Sequence, residues 1–439
     1  MYIVSSLRKI RRAFFQKNSA RLAVLQPNMK NGGAMSQDHS AQAAPGSVVS
    51  QHWLGLERIR MYSVAMLLVY GGLLLIWGLR TKGFTADSLD RPGVDFSAFW
   101  SASYLAMKGQ ALRAYDYEVL QPVIAAFGAA RGNGSFFLPW VYPPTFLLLV
   151  MPLSVLPFAV SYLIFIGGTA ALYIAAVLRI FAASDIPRHA VWLPVLAFPG
   201  VHEAAMLGQN SLLTAGMASW AMIHLKARPV LSGVLIGLLS VKPQLMVMLP
   251  MALVVDRAWT ALGSAAATAA MLMASCIAFW GWESVAAFLD VGTHFRQTVL
   301  ERGEIGWRSC PTVFAMMRMA GASVAAAYAG HFLCAVLAIA VLLKVWHGRN
   351  SLALRIAVVA ASSLLVSPYL WHYELTWMGV AIAGLAVDGV RRGWMSGEQE
   401  LLLVAWLLPL VLSLNHQGYF PQFGPLIMLL LLIAILRRA

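Results

Sequence analysis

The sequence predicts an all-α polytopic membrane protein. Of its 439 residues, 60% are hydrophobic and only 11% are charged, whereas a soluble globular protein carries about 25% charged residues. Several apolar runs reach or approach the roughly 20 residues that cross a hydrocarbon core. The runs lack the alternation typical of a membrane barrel, so helices are the expected way to satisfy the backbone in lipid.

About twelve apolar segments are predicted, and an even number of crossings with both termini cytoplasmic agrees with the Arg-rich flanks at both ends. Two segments leave the topology of the middle open. Segment 143–157 is short and bounded by prolines, and segment 229–255 contains Lys242 and Pro243. Either is a plain span or a broken or re-entrant helix. The segments lie near residues 61–80, 143–157, 159–182, 189–204, 207–225, 229–255, 259–281, 323–345, 352–370, 374–390, 399–415 and 421–437.

The net charge of +14 indicates contact with membrane lipids rather than nucleic acid. The first 60 residues contain nine Lys or Arg and two acids, and Arg437 and Arg438 lie at the other end. Basic residues beside apolar segments mark cytoplasmic flanks. Residues 1–55 are therefore expected to be a basic, poorly ordered cytoplasmic tail, and residues 56–439 the integral membrane domain.

Nothing in the sequence predicts a metal or a soluble cofactor. The three cysteines, Cys276, Cys310 and Cys334, have no CxxC spacing, and neither HExxH nor an acidic DxD triplet occurs. A Gly-rich phosphate loop after a strand is also missing, which argues against chemistry on soluble nucleotides.

Two long loops, 81–142 and 282–322, lie on the extracytoplasmic side in the twelve-span topology. Connections of that length are usually functional. The first loop contains an apolar and aromatic stretch over 96–120, which predicts a helix lying along the membrane surface. A transporter would have little use for such loops.

Asp95 opens this stretch, just beyond the first span. One interpretation is structural, since Asp often caps a helix N-terminus. The other is catalytic, with the carboxylate taking a proton from an acceptor hydroxyl. Asp87 and Asp90 are rivals in the same loop, in a polar stretch that looks solvated.

Other polar side chains also lie at the edges of apolar segments. Lys242 lies within an apolar run, which is costly unless the side chain reaches the interface or finds an anion. Tyr142 in "WVYPPTF" suits an aromatic anchor at a helix start. Two clusters are either plain loops or functional sites: His202, Glu203, Gln209 and Asn210 in "VHEAAMLGQNS", and Ser367, His372, Tyr373 and Glu374 in "SPYLWHYE".

Taken in order, Asp95, "YPP" at 142–144, "GQNSLL" at 208–213, "KP" at 242–243 and "SPYLWHYE" at 367–374 resemble glycosyltransferase family 87, also described as domain of unknown function 2029. The resemblance covers roughly residues 60 to 390. It implies a GT-C fold in the bacterial inner membrane and transfer of a hexose, best known as mannose, from a polyprenyl-phosphate donor to a lipid or glycan acceptor.

The resemblance also implies roles for individual residues. Asp95 matches the acid of the first extracytoplasmic loop, the expected general base. Lys242 matches the Lys of the "KP" motif, and we assign it to the donor phosphate; an Arg such as Arg308 or Arg296 could stabilise the same phosphate electrostatically. His372 matches the His that follows "SP", a partner of donor or acceptor. The remaining substrate-binding candidates are Tyr142, Gln209, Asn210 and Glu374.

Two other classes stay open on the sequence alone. A polymerase or ligase acting on lipid-linked glycans fits the basic residues of the second loop, His294, Arg296, Arg302 and Arg308. A transporter or flippase for lipid-linked glycans would need short loops, internal repeats and polar residues at mid-membrane, which the sequence does not display.

Overall fold

A computed structural model of the protein describes residues 53–81, 92–127, 138–184, 186–303, 306–415 and 419–439. The predicted tail lies outside these ranges except for its last three residues. Asp87 and Asp90 also lie outside them. All statements on structure below refer to the described ranges.

Every regular element in the described ranges is a helix, as the composition predicted. Short 3-10 helices and one π-helix connect or extend the α-helices. The α-helices are α1 Leu56–Arg80, α2 Phe96–Met107, α3 Tyr117–Phe127, α4 Pro144–Val150, α5 Phe158–Phe181, α6 Arg188–Leu196, α7 Pro199–Leu207, α8 Ser211–His224, α9 Pro229–Leu238, α10 Pro243–Met246, α11 Met248–Val255, α12 Trp259–Trp280, α13 Glu283–Phe295, α14 Val313–Met319, α15 Val324–His347, α16 Leu352–Val366, α17 Thr376–Arg392, α18 Glu398–Leu414 and α19 Gly424–Arg437.

Four of these helices are long and apolar enough to cross a membrane: α1, α5, α12 and α15. The bent pair α6 and α7, which turns by 47°, raises the number to five if it forms one span. The remaining predicted segments contain shorter helices. The protein is therefore a helical membrane protein, and the count of twelve crossings stays a prediction.

Prolines explain why several segments are shorter than a full span. Proline fixes its own φ and lacks an N–H, so it starts helices readily and interrupts them. Pro199 separates α7 from α6, and Pro243 starts α10 after Lys242, whose backbone leaves the helical region at φ −144°. Segment 229–255 is thus broken at the Lys-Pro pair, one of the two alternatives that the sequence left open.

The first long loop differs from its predicted form. The stretch 96–120 forms α2, a 3-10 helix Ala111–Tyr115 and the start of α3 rather than one helix. Nearly all residues of α2 are buried, so the helix packs against other parts of the protein instead of presenting an apolar face to lipid. The ring of Phe99 packs edge-on against Trp140 and Phe146 at centroid distances of 6.1 and 5.0 Å. These aromatic contacts draw the loop into the protein core.

Helices α9 and α12 approach closely through small residues. A Cβ added to Gly233 would lie 2.3 Å from the carbonyl oxygen of Ala261, and one at Gly237 would lie 2.5 Å from the Cβ of Thr268. Small residues four positions apart let two helix backbones meet in a membrane, where dispersion contacts replace the hydrophobic driving force. This packing supports α9, which is followed by the 3-10 helix Leu239–Val241 and then by Lys242.

We expect Gly208→Ala to destabilise the protein. Gly208 has φ +77° at the end of α7, and an added Cβ would lie 2.5 Å from the Cβ of Phe96. The left-handed conformation alone costs about 1–2 kcal/mol with a side chain, and the clash adds to it. The thermal-unfolding midpoint in detergent should fall by several degrees. Gly263→Ala is the control, since a Cβ there meets no atom within 4 Å; equal midpoints for the two variants would contradict the close approach.

Candidate active site

Asp95 is fixed by its backbone against the C-terminal end of α7. The N–H of Gly93 donates to the carbonyl of Met206 at 2.7 Å, and the N–H of Asp95 donates to the carbonyl of Leu207 at 2.9 Å. Gly208 then ends the helix with a left-handed turn. The first long loop is thereby joined to the "GQN" stretch, which lies more than 100 residues further along the chain.

The side chain of Asp95 does not cap a helix. Asp95 holds the position before α2, but its carboxylate makes no capping hydrogen bond. Its Oδ2 instead accepts a hydrogen bond of 2.7 Å from Nε2 of Gln209. Oε1 of Gln209 in turn accepts a hydrogen bond of 3.1 Å from the Tyr142 hydroxyl. The partly exposed carboxylate is thus oriented by an amide that is itself held by a tyrosine.

Lys242 lies at the break between the 3-10 helix Leu239–Val241 and α10, and it is 5% exposed. Its Nζ donates to Oδ1 of Asn210 at 3.0 Å and forms an ion pair with Glu374, which is 3% exposed. The rings of Tyr142 and Tyr373 each lie 5.5 Å from Nζ. The buried cation is therefore surrounded by a carboxylate, an amide oxygen and two aromatic rings.

His372 lies beside this cluster, in the 3-10 helix His372–Leu375 that also carries Glu374. Its Nε2 is 3.4 Å from Oε2 of Glu203 on α7. Its charge also acts on Asp95, whose pKa it lowers. His372 and Glu203 are both partly exposed, so they lie at the rim of the cluster rather than at its base.

Burial dominates the electrostatics of the two acids outside the membrane-spanning helices. It raises the pKa of Asp95 above the usual range, against the opposing effects of the Gln209 hydrogen bond, His372 and Lys242. Burial likewise raises the pKa of Glu374, and the ion pair with Lys242 opposes the rise. A carboxylate with a raised pKa is a stronger base than one in water, which suits proton abstraction.

Seven of the eight predicted site residues lie together: Asp95, Tyr142, Gln209, Asn210, Lys242, His372 and Glu374. The eighth, Arg308, lies in the separate 3-10 helix Trp307–Ser309, where its carbonyl accepts from Gln422 at 2.8 Å. Within the described ranges, Arg308 makes none of the hydrogen bonds or ion pairs that join the cluster.

Sequence reasoning gave no role to Glu203 or Tyr373, although both stood in polar stretches that it noted. Glu203 is the partner of His372, and Tyr373 faces Lys242. Their adjacency to His202 and Glu374 was visible in the sequence, but their partners are distant along the chain. Among the described residues, no group of three or more His, Cys, Asp or Glu is arranged to hold a metal ion.

The fold and the site define a class of protein: an all-helical membrane protein with a cluster of acidic and basic side chains at the ends of its helices. The model of glycosyltransferase family 87 matches residues 140–368, more than half of the chain. The chain therefore belongs to glycosyltransferase family 87, as the sequence motifs predicted, and it is a membrane glycosyltransferase.

Comparisons with curated proteins and with solved structures add nothing to this assignment. No curated protein matches the chain, and no solved structure matches it. The family match contains Tyr142, Gln209, Asn210 and Lys242, whereas Asp95 precedes it and Glu374 follows it. The grouping of Asp95 and Glu374 with the matched residues therefore rests on the geometry alone.

We expect Lys242→Met to destabilise the protein by about 3–5 kcal/mol, because it leaves the Glu374 carboxylate buried without its partner. The double variant Lys242→Met, Glu374→Leu should recover most of that loss, since an apolar pair has no charge to bury. The measurement is the free energy of unfolding, or the thermal midpoint where unfolding is irreversible.

Lys226→Met provides the matched control. Lys226 pairs with Asp256 at 2.6 Å, but its side chain is 74% exposed, so its removal should cost less than about 1 kcal/mol. The ion pair at the site would lose its structural role if Lys242→Met were as stable as this control, or if the double variant were no better than the single one.

Proposed function

We propose that the protein transfers a mannose-like hexose from a polyprenyl-phosphate donor to a lipid or glycan acceptor. The reaction takes place at the extracytoplasmic face of a bacterial inner membrane, with both termini in the cytoplasm and a GT-C arrangement of about twelve spans. The observation that carries the proposal is Asp95, a partly exposed carboxylate oriented by Gln209 in a chain that belongs to a glycosyltransferase family.

Asp95 acts as the general base in this proposal. The acceptor hydroxyl gives its proton to the carboxylate while its oxygen attacks the anomeric carbon of the sugar. The bond between that carbon and the phosphate oxygen breaks, and its electron pair leaves with polyprenyl phosphate. Direct displacement inverts the configuration at the anomeric carbon. The Gln209 hydrogen bond fixes one carboxylate oxygen, so the other is left in a defined direction for the acceptor.

The leaving phosphate needs a cation or hydrogen-bond donors. The "KP" motif assigns Lys242 to it, and Arg308 is the second predicted phosphate ligand. Lys242 has a carboxylate partner that offsets its charge, which makes it the weaker candidate of the two. Arg308 remains our proposed cation for the phosphate, on the second extracytoplasmic segment, and His372 remains a proposed substrate contact at the rim.

Asp95→Asn should lower the rate of transfer by about 100- to 10,000-fold, the usual contribution of a general base. The amide keeps the size of the side chain and accepts the Gln209 hydrogen bond, but it cannot take a proton. The assay follows radiolabelled sugar from polyprenyl-phosphate mannose and from its glucose analogue, with the purified full-length protein.

Asp290→Asn is the matched control, since Asp290 is an exposed acid on α13 and should keep wild-type activity. Near-normal turnover by a folded Asp95→Asn protein would remove Asp95 from the chemistry. No transfer by the wild type from any polyprenyl-phosphate sugar would contradict the proposed function and favour a polymerase or ligase, tested next with diphosphate-linked glycans.

The pH–rate profile should have an acidic limb displaced upward from the range of a solvated aspartate. Asp95 must be ionised to accept a proton, so the rate rises as pH passes through its pKa, which burial raises. Gln209→Met removes the hydrogen bond that lowers this pKa, so the limb should move to higher pH. Asp290→Asn should leave the limb in place. A limb that stays fixed, or moves to lower pH, in Gln209→Met would contradict the assignment to Asp95.

A further inference from the structure

The ammonium of Lys242 already has a full set of favourable partners. It is paired with the Glu374 carboxylate, donates to Asn210 and contacts the faces of two tyrosine rings. A phosphate that approached it would meet the buried carboxylate of Glu374 at close range. Like charges at such a distance are unfavourable, and more so where water is excluded.

The charge balance of the whole cluster is also unfavourable for a phosphate. Three carboxylates, Asp95, Glu203 and Glu374, face Lys242 and His372. Even with His372 counted as a cation, the acids outnumber the bases. The cluster is therefore better suited to a neutral ligand than to a phosphate.

Three buried polar atoms of the cluster have no hydrogen-bond partner in the described ranges: Nδ1 of His372 at the rim and, at the base, Nδ2 of Asn210, a donor, and Oε2 of Glu374, an acceptor. Asn210 is 0% exposed and Glu374 is 3% exposed. The atoms of Asn210 and Glu374 each belong to the same planar group as an oxygen that contacts Lys242 Nζ, so both groups lie beside the ammonium. Buried polar atoms are seldom left unpaired, and such exceptions mark a place for a ligand or a water.

We propose that Asn210 and Glu374, which both contact the Lys242 ammonium, form the subsite for hydroxyl groups of the transferred sugar and not for the donor phosphate. A hydroxyl both donates and accepts, so it can accept from Nδ2 of Asn210 and donate to Oε2 of Glu374. At neutral pH the phosphate of the donor has only hydrogen-bond acceptors. It therefore cannot donate a hydrogen bond to the Glu374 carboxylate. The assignment rests on the proposed glycosyl transfer and names the part of the donor that this cluster recognises.

The exposure of the neighbouring side chains agrees with a sugar subsite at Asn210 and Glu374. Asp95, Tyr142 and His372 are partly exposed, and they border the buried trio of Asn210, Lys242 and Glu374. A sugar ring seated among these side chains has its hydroxyls at the base of the cluster and its anomeric carbon toward Asp95. Sites that hydrogen-bond a substrate hydroxyl discriminate strongly against analogues that lack it, because the buried partners are then left unpaired.

The first test separates sugar from phosphate with two ligands of the purified full-length protein. Polyprenyl-phosphate mannose is the donor, and polyprenyl phosphate without a sugar is a competitive inhibitor. Asn210→Ala should lower kcat/KM for the donor about 10- to 100-fold. The inhibition constant of the sugar-free lipid should stay within about twofold of wild type, because that lipid makes no contact with the subsite.

Equal weakening of both ligands in Asn210→Ala would place the phosphate at Lys242 and overturn the proposal. An unchanged kcat/KM in the folded variant would mean that a structural water fills the gap, which also overturns it. A wild type with no transfer at all would overturn the proposed function and this assignment together, so the two failures are distinguishable.

Glu374→Gln is the second variant, and it is informative even if Asn210→Ala does not fold. Its amide keeps the size of the side chain and an oxygen for Lys242, but it removes the carboxylate. The proposal predicts weaker use of the donor and an unchanged inhibition constant for the sugar-free lipid. A phosphate bound at Lys242 predicts the opposite, since loss of the neighbouring carboxylate would tighten that lipid several-fold.

Donors with one hydroxyl replaced by hydrogen complete the test. At least one of the 2-, 3-, 4- and 6-deoxymannose donors should be used by Asn210→Ala as well as the parent donor is, because the partner of the side chain is already gone. If Asn210→Ala slows every deoxy donor by the same factor as the parent donor, the side chain contacts none of these hydroxyls and the proposal is wrong.

Discussion

The buried ion pair between Lys242 and Glu374 is the interaction on which the rest of the site depends. A charge removed from water is costly, and only a partner with further hydrogen bonds offsets the cost. The pair joins two segments that are 132 residues apart, one at the break after Leu239–Val241 and the other at the turn between α16 and α17. Because neither charge is stable when it is buried alone, the segment around Lys242 and the turn that carries Glu374 have to lie against each other. The ion pair therefore fixes the relative position of these two segments.

The broken helices give this pair its other partners. A continuous helix uses its own carbonyls and N–H groups, whereas a break points side chains along the axis toward a neighbouring helix end. Lys242 stands at such a break, and Asn210 stands at the start of α8 after the left-handed Gly208. The backbone of Asp95 is bonded to the end of α7 immediately before that glycine. Two helix breaks thus converge with the loop before α2, and they contribute Lys242, Asn210 and Asp95 to one cluster.

Much of this architecture can be predicted from the sequence, and the features that could not be predicted have identifiable physical reasons. Apolar runs predict where helices form, and Lys242-Pro243 predicts a possible break, because these are local properties of the chain. The pairing of Lys242 with Glu374 is not local, so the sequence could assign each residue a role but not its partner. The burial of α2 was missed because Phe96, Phe99 and Trp100 suit a membrane interface as well as a protein core. The contacts of Phe99 with Trp140 and Phe146 distinguish the two environments.

The charge pattern of the site has a mechanistic consequence. A base that must take a proton works best when no strong cation lowers its pKa, whereas a leaving phosphate needs a cation close by. If Lys242 were free, it would favour the ionised form of Asp95 and weaken it as a base. The Glu374 carboxylate offsets that cation, and burial then raises the pKa of Asp95. In the proposed glycosyl transfer, the ion pair thus allows the base and the cation for the phosphate to lie at different places in the protein. In the proposed reaction, the cluster around Asp95 activates the acceptor without a free cation beside the base, and the positive charge for the phosphate comes from another part of the chain.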